Sequence, residues 1–314
     1  MHSVYPAVIV RLWLKYTGLS LLFSIQVVAS EPNRIISLAP YITETLYALG
    51  AEEKVIAVSR YCRYPPQAQL RPQVGDLFSA DIEQIIALRP DVIFVSPSHH
   101  ALAKKLIQLG ITVKTIQAQR LDDIQEMIRY IADIIGHQQQ GKEILQQLNT
   151  VIHHLQQKIP RSSPTTVLIS LVHHINIERS PYYIAGTQDF YHDLLPHLKV
   201  NNAYTLPHPA VPALSKEGLY GLDPDIIIAL LPAAESLNTP LPYIQQHWHN
   251  LQHLRAVRQQ RLYFLSNDYT TIPGPRIGRL LYDLAVIIYP DMSWQPYSTL
   301  IQKNSPNKIA QQSD

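Results

Sequence analysis

Apolar residues recur at three- and four-residue steps through the middle of the chain, from Gln138 to Ile159. This spacing is typical of one apolar face on an α-helix, and the segment holds no proline and only one glycine, near its start. Pro160 and the Arg-Ser-Ser-Pro sequence after it end the pattern abruptly. The pattern therefore predicts one long helix at the centre of the chain.

The segments before and after this helix resemble each other. ADIEQIIALRPDVIFV begins at residue 80, and LSKEGLYGLDPDIIIAL begins at residue 214. Glu83 precedes its Pro-Asp pair by the same interval as Glu217 precedes its own, and an apolar, strand-like sequence follows in both cases. We interpret the chain as two related α/β lobes joined by a single long helix.

Strand signals alternate with helix signals in both lobes. The predicted strands are Arg34–Leu38, Val55–Val58, Val92–Val95, Thr112–Ile116, Thr166–Val172, Asp225–Leu230 and Arg261–Leu265. This order predicts Rossmann-like lobes with mostly parallel sheets whose faces are covered by helices. Because ligands of such sheets bind beyond the carboxyl ends of the strands, the loops that follow the strands should line a cleft between the lobes.

The predicted helices fill the intervals between the strands. They are Glu44–Leu49 after a capping Thr43, Ile82–Leu88 after Asp81, Ala101–Leu109, Leu121–Ile135, Gln188–Leu198, Glu217–Leu222 after Ser215, Tyr243–Val257 and Arg276–Tyr289. After Pro290 the chain turns polar, which predicts a loose tail. The resulting domains are residues 31–137 and 161–290 for the lobes, 138–160 for the helix between them, and 291–314 for the tail.

The first thirty residues have the pattern of a signal peptide. Arg11 and Lys15 precede an apolar segment from Tyr16 to Val28, and Ala29 and Ser30 offer a cleavage site. The apolar segment is short for a membrane span, although an uncleaved anchor stays open as an alternative. No cysteine lies near the cleavage site, so a lipid anchor is not expected. The protein should be exported to the periplasm.

Composition excludes several classes of protein. The chain is 46% hydrophobic and 16% charged with a net charge of +2, and it has no clustered Lys/Arg stripe of the kind that nucleic-acid-binding proteins carry. Cys62 is the single cysteine, so an intramolecular disulfide and a zinc site of paired cysteines are both impossible. Because none of the common catalytic motifs is present, we predict no catalytic residues.

Glu83 and Glu217 each lie two residues after a capping residue, in the first turn of a short predicted helix. A carboxylate at that position complements the helix dipole, and this stabilisation by itself would explain the presence of either glutamate. Their equivalent positions in two related lobes also suit recognition of a partner with two equivalent subunits. Exposed charges at such points fix the register of docking and speed the encounter.

Two histidine pairs, His99-His100 and His173-His174, follow predicted strands and could reach the cleft. A third pair, His153-His154, lies on the central helix and should be at the surface. Three histidines and a carboxylate would bind a transition metal. No acidic residue lies beside these pairs at a spacing that would indicate a further metal ligand, so no metal site is predicted.

Four polar or aromatic residues lie in the predicted loops at strand ends: Tyr61, Asp268, Tyr269 and Arg276. A tyrosine in such a loop is as often a packing residue as a ligand contact. Arg276 follows the rigid turn Pro273-Gly274-Pro275 and either contacts a ligand or forms an ion pair with a nearby carboxylate such as Asp268.

Three stretches together resemble the periplasmic binding proteins of ABC importers for vitamin B12 and ferric siderophores. They are RIISLAPYITETLYALGAEEKVIAVSRYCRYPPQAQ, VGDLFSADIEQIIALRPDVIF and LSKEGLYGLDPDIIIAL, within a likeness that spans Arg34 to Tyr289. The resemblance implies two α/β lobes bridged by one helix, the class III or helical-backbone type. It also implies that a glutamate on each lobe, here Glu83 and Glu217, docks onto arginines of the paired permease subunits.

The same resemblance implies that the ligand lies in the interlobe cleft. The corresponding ligand-binding residues are Tyr61 in the first loop and Asp268, Tyr269, Thr270, Thr271 and Ile272 in the last, with Arg276 beside them. The chain departs from the corrinoid-binding members at three positions where those proteins stack large aromatic rings and this chain has Leu77, Leu171 and Val211. An arginine of the last loop is replaced by Ile272, and the insert Asn176–Tyr183 has no clear counterpart. The aromatic residues that could take the missing places are Phe78, Tyr182, Tyr183 and Tyr204.

The sequence therefore predicts a monomeric, periplasmic solute-binding protein without a cofactor of its own. It should capture a large metal chelate, either a corrinoid such as vitamin B12 or a ferric siderophore, and deliver it to a twofold ABC permease in the inner membrane. A receptor for haem or a transition-metal ion, using Tyr61 or the cleft histidines as ligands, is the main alternative. An exported hydrolase with the cleft as its active site is the more remote one.

Overall fold

The computed structural model describes residues 31–76, 79–160, 165–171, 181–207, 209–231 and 240–302. All of them belong to one compact unit that begins at Glu31. Among these residues, no helix combines the length and the apolar character that crossing a membrane requires. The predicted signal peptide, residues 1–30, lies outside the described residues.

The N-terminal lobe is built on a four-stranded parallel sheet in the order β2-β1-β3-β4. Its strands are β1 (Ile35–Ser37), β2 (Val55–Val58), β3 (Val92–Val95) and β4 (Val113–Thr115). Every residue of β1 and β3 is buried, which is why these strands are continuous apolar sequences and do not alternate apolar and polar residues. The predicted parallel sheet is confirmed.

Helices cover this sheet on both faces. They are α1 (Pro40–Ala48), α2 (Ile82–Ala87), α3 (His100–Gln108) and α4 (Leu121–Ile135). The predicted start of the first helix at Glu44 was wrong, because the helix already begins at Pro40, whose missing N–H costs no hydrogen bond in the first helical turn. Thr43 is therefore inside α1, and its hydroxyl donates to Ser37 Oγ at 2.7 Å.

The C-terminal lobe repeats this plan with a four-stranded parallel sheet in the order β10-β9-β5-β7. Its strands are β5 (Thr166–Leu171), β7 (Asn201–Asn202), β9 (Ile226–Leu230) and β10 (Leu262–Leu265), and a small antiparallel pair is formed by β6 (Tyr182–Tyr183) and β8 (Ala213–Leu214). The two-residue strands were not predicted, because they are too short to carry a periodic pattern.

The helices of this lobe are α6 (Phe190–Leu194), α7 (Lys216–Leu222), α8 (Leu241–His249), α9 (Arg255–Arg258) and α10 (Ile277–Ile288). Two predicted helices are divided. The helix expected at Gln188–Leu198 is α6 followed by a 3-10 helix, Leu195–Leu198, with Pro196 in its first turn. The helix expected at Tyr243–Val257 consists of α8 and α9.

The predicted central helix is α5 (Gln138–Lys158), 21 residues long. Its buried residues Leu148, Val151 and Leu155 belong to a single core cluster that also holds Ile128 of the N-terminal lobe and Leu284 of the C-terminal lobe. At its start, Gly141 lies so close to α4 that an added Cβ would meet the Ala132 Cβ at 2.8 Å. The apolar cores of the two lobes are therefore continuous through this helix.

The loose tail expected after Pro290 is a wrong prediction for residues 291–302. Helix α11 (Tyr297–Gln302) packs on α5, and Leu300 is buried in the main core. The Trp294 indole donates a hydrogen bond to the Tyr289 carbonyl oxygen at 3.0 Å, and the Tyr282 hydroxyl donates to the carbonyl oxygen of residue 295. Residues 303–314 lie outside the described part of the chain.

We predict that Leu155→Ala lowers the free energy of unfolding by about 2–5 kcal/mol, because it opens a cavity where the two cores meet. Urea denaturation followed by circular dichroism measures the change. The matched control is Gln146→Ala on the exposed face of the same helix, which should change the free energy by less than about 0.5 kcal/mol. Equal effects of the two substitutions would contradict a shared core.

Candidate ligand cleft and docking face

The loops after the strands of both sheets provide the candidate site. In the N-terminal lobe they begin after Ser37, Val58, Val95 and Thr115, and in the C-terminal lobe the loop after Leu265 is described. Residues 172–180 and 232–239, which follow the other two long strands of that lobe, are outside the described residues. The predicted cleft residues His173 and His174, as well as Leu77 and Phe78, fall in such gaps.

The loop that follows β2 from Ser59, here called the first cleft loop, is held in place by Cys62. The thiol is buried, and its sulfur lies 3.0 Å from Thr43 Oγ1 and 3.2 Å from Ser59 Oγ. Burial raises the pKa of the Cys62 thiol, so it stays protonated. Tyr61, the preceding residue, is 51% exposed. The loop thus has a fixed backbone and presents one aromatic side chain to solvent, and ligand contact by Tyr61 stays a prediction.

The last cleft loop contains a 3-10 turn, Asp268–Thr271, whose residues face in different directions. Tyr269 is buried and its hydroxyl donates to Asp283, while Thr270 is fully buried and donates to the Asn267 carbonyl oxygen at 2.7 Å. Asp268 is exposed, and Thr271 and Ile272 are half-buried. The exposed and half-buried residues are the better candidates for direct contact, whereas Tyr269 and Thr270 shape the loop from inside.

Arg276 lies at the start of α10 and contacts two carboxylates. Its Nη1 and Nη2 donate to Asp268 at 2.8 and 3.0 Å, which confirms the ion pair considered from the sequence. Its Nε and Nη2 also donate to Glu44 of α1 at 2.9 and 2.7 Å. Sequence reasoning missed Glu44, although a carboxylate among the apolar residues of α1 was a usable signal.

Burial raises the pKa of Glu44 to about 7, and the hydrogen bonds from Arg276 only partly oppose this effect. The pKa of Arg276 is also raised: burial alone would lower it, but the hydrogen bonds and charges of Glu44 and Asp268 outweigh burial. The raised pKa of Glu44 and the raised pKa of Arg276 are consistent with each other. Two carboxylates stabilise one arginine, but that arginine is shared and compensates neither carboxylate fully. Glu44 is thus a deeply buried acid whose charge is only partly compensated.

A second ion pair joins the lobes through Arg120, the residue before α4. Arg120 Nε donates to Asp193 Oδ2 of α6 at 2.8 Å, and the Leu121 backbone N–H donates to the same oxygen at 3.0 Å. Arg120 Nη1 also donates to the Thr187 carbonyl oxygen at 3.1 Å. This bridge was not predicted, since its partners are far apart in the sequence and no local spacing connects them.

The histidines near the cleft do not come together in the described residues. His99 is buried with Nδ1 2.7 Å from Ser96 Oγ, and burial lowers its pKa, whereas the neighbouring His100 is exposed. On α5, His153 is exposed as expected. Across the described ranges, no group of three or more His, Cys, Asp or Glu residues is arranged to hold a metal ion.

The aromatic residues proposed to replace missing ring contacts are largely engaged elsewhere. Tyr204 is buried, and Tyr182 packs edge-on against Trp248 and stacks with His247 in the outer core of the C-terminal lobe. Tyr183 is half-buried against the main core. The buried Tyr204 therefore has no exposed ring face to offer a ligand, while ring contact by the half-buried Tyr182 and Tyr183 stays a prediction.

Glu83 and Glu217 are both exposed, in the first turns of α2 and α7. The caps act as predicted: Asp81 Oδ1 accepts from the Gln84 N–H at 2.9 Å and Ser215 Oγ accepts from the Gly218 N–H at 3.2 Å. Hydrogen bonds from its own backbone N–H and from Ser215 lower the pKa of Glu217. Both helices lead into the strand beside the first strand of their sheet, so the two glutamates occupy equivalent places.

The family of the chain follows from comparison with known proteins. Residues 35–269 match the model of the family described as periplasmic binding protein, so the chain belongs to that family. The recognition made from sequence motifs is confirmed, as is the fold class of two α/β lobes with parallel sheets. Members of this family bind substrates for transport, which places the protein in a class of solute-binding proteins.

Several individual proteins of known type are similar to this chain. An ABC transporter substrate-binding lipoprotein of Bacillus subtilis is 26% identical over 84% of this chain and 82% of its own length. A vitamin B12-binding protein of Vibrio cholerae is 38% identical, over only 35% of this chain and 41% of its own length. The crystal structure of the periplasmic vitamin B12-binding protein of Vibrio cholerae superposes with a TM-score of 0.66 at 25% identity, covering 83% of this chain and 98% of that one.

The raised pKa of Glu44 predicts a pH dependence of stability. Its folded pKa of about 7 exceeds the ordinary value of 4.5, so between these values the folded state binds more protons and the free energy of unfolding falls as pH rises. We expect Glu44→Gln to reduce this fall between about pH 5 and pH 8 in urea denaturation series. Part of the fall should persist, since burial also raises the pKa of Asp189 to about 7.

Glu217→Gln is the matched control for this prediction. The pKa of the exposed Glu217 is lowered, so its contribution to stability is lost only as pH falls below the ordinary value of 4.5. The control should leave the dependence between about pH 5 and pH 8 unchanged. A Glu44→Gln variant with the wild-type pH profile would contradict the assignment.

Proposed function

We propose that the protein captures a large metal chelate, a corrinoid such as vitamin B12 or a ferric siderophore, in the cleft between its lobes and delivers it to an ABC permease. The observation that carries the proposal is the likeness to the vitamin B12-binding protein of Vibrio cholerae, which extends over 83% of the chain. The exposed Tyr61 and Asp268, one from each lobe, support a ligand site between them.

The mechanism is capture and release without a chemical step. The continuous core through α5, with ion pairs from Arg120 and Arg276 across the lobes, favours a cleft that is formed before the ligand arrives. A preformed site spends less binding free energy on ordering loops, which suits high affinity for a rigid chelate. The permease then releases the ligand by separating the docked lobes.

The partner is a twofold permease in the inner membrane, which a single copy of this protein approaches from the periplasm. Glu83 and Glu217 supply one exposed carboxylate on each lobe, and paired arginines on the permease subunits are their proposed partners. Exposed ion pairs of this kind align the two proteins and raise the association rate more than they add affinity. The N-terminal segment directs the export that this arrangement needs.

We predict that cyanocobalamin or ferrichrome, and not haemin, binds the purified protein, as measured by absorbance and intrinsic fluorescence titration. Tyr61→Ala should weaken binding at least about fivefold, since it removes an exposed aromatic contact. Tyr130→Ala, an exposed tyrosine on α4, is the control and should not change affinity. Native mass spectrometry should recover the ligand chemically unaltered. Binding of haemin alone would favour the haem receptor instead.

We predict that the double substitution Glu83→Ala with Glu217→Ala spares ligand binding but lowers transport by the cognate permease in proteoliposomes by at least about tenfold. The physical reason is loss of both docking charges, which lie on the surface and contact no core. Glu53→Ala with Glu126→Ala removes two other exposed carboxylates and should leave transport unchanged. Equal transport by the two double variants would reject the docking role.

A further inference from the structure

Arg276 connects elements of both lobes through one side chain. It belongs to the C-terminal lobe, yet two of its hydrogen bonds, at 2.9 and 2.7 Å, go to Glu44 in α1 of the N-terminal lobe. Two others, at 2.8 and 3.0 Å, go to Asp268 in the last cleft loop. The pairing with Glu44 is buried, with Arg276 17% and Glu44 3% exposed, so the interaction is screened little by water.

The same guanidinium lies over two tyrosine rings. Its central carbon is 3.5 Å from the ring centroid of Tyr64 in the first cleft loop and 5.3 Å from that of Tyr269 in the last. Tyr64 is three residues from Tyr61, and Cys62 between them is held by hydroxyl groups. The face of the Arg276 guanidinium thus packs on the first cleft loop, which presents Tyr61. The N–H groups at its edge donate to Asp268 in the last cleft loop.

We propose that Arg276 is a positioning residue that fixes the first and last cleft loops relative to each other, across the lobes, before any ligand binds. The inference rests on the proposed function for the identity of the cleft. The planar fork of arginine suits this role, because it donates in its plane to two carboxylates while its faces stack on aromatic rings. With Nε, Nη1 and Nη2 all engaged, the side chain acts on the ligand through Tyr61 and Asp268.

The Arg120–Asp193 bridge provides a matched control. It also joins the lobes through a bidentate arginine, but it contacts neither Tyr64 nor the Asp268–Thr271 turn. Arg120→Gln and Arg276→Gln therefore both remove one interlobe ion pair and one positive charge. If Arg276 positions the cleft loops and does not merely stabilise the fold, only Arg276→Gln should make these loops more mobile.

The decisive measurement is amide hydrogen exchange of the ligand-free protein. We expect Arg276→Gln to speed exchange in peptides covering residues 59–71 and 266–272 by about tenfold or more, with smaller changes elsewhere. Arg120→Gln should leave these two segments at their wild-type rates. Unchanged rates in Arg276→Gln, or the same acceleration over the whole chain, would overturn the proposal. Should Arg276→Gln fail to fold, Arg276→Lys and Glu44→Gln carry the same test, because each weakens the fork and keeps a polar group.

A binding experiment tests whether Arg276 acts through Tyr61. With cyanocobalamin as the probe, we expect Arg276→Gln to weaken binding about tenfold in the wild-type background and clearly less in a Tyr61→Ala background. Fully additive effects would count against the proposal. If the wild-type protein binds no cyanocobalamin, ferrichrome takes its place, and failure of both overturns the proposed function while the exchange experiment still decides the role of Arg276.

Discussion

The structure depends on the burial of one helix by two lobes. The apolar face of α5 packs on α4 from the N-terminal side and on α10 and α11 from the C-terminal side, and the buried residues form one cluster. Close-packed interiors resist continuous deformation, so a helix shared in this way cannot act as a loose hinge. The distance between the cleft loops is therefore set largely by side-chain packing, so a ligand bound between them would meet a cleft whose width is already determined.

Two ion pairs between the lobes further restrict the arrangement that apolar packing establishes. Arg120–Asp193 and Arg276–Glu44 each place an arginine of one lobe against a carboxylate of the other. A buried ion pair adds little net stability against an apolar pair of the same shape, but it tolerates few alternative geometries. This argument applies to the buried Arg276–Glu44 pair, whose expected contribution is specificity of arrangement, whereas the Arg120–Asp193 pair is partly exposed. The pair that involves Arg276 also contacts the first and last cleft loops, through Tyr64 and Asp268, so this charge is held where the proposed ligand site requires fixed positions.

Sequence reasoning recovered the elements that have strong periodicity or clear caps. The bounds of α4 were correct, and the start of α5 and both short capped helices were located within a residue or two, because each signal is local. The start of α1 was missed because a proline serves equally to end a strand and to begin a helix. Asp268 was found as a partner of Arg276, eight residues away, whereas Glu44 is 232 residues away and only the folded chain brings it near. Contacts between lobes are the part that no local pattern encodes.

Glu83 and Glu217, the two glutamates proposed for docking, show how far the internal repeat extends. Both lie in the first turn of a short helix that leads into an equivalent strand, and both are exposed. Their neighbourhoods differ, since Glu83 follows the acidic cap Asp81 while Glu217 follows Ser215 and Lys216. The surroundings of Glu83 are therefore more negative than those of Glu217. A partner with two equivalent subunits would meet unequal charge at the two glutamates, so an arginine facing Glu83 would gain more electrostatic attraction than its symmetry mate facing Glu217.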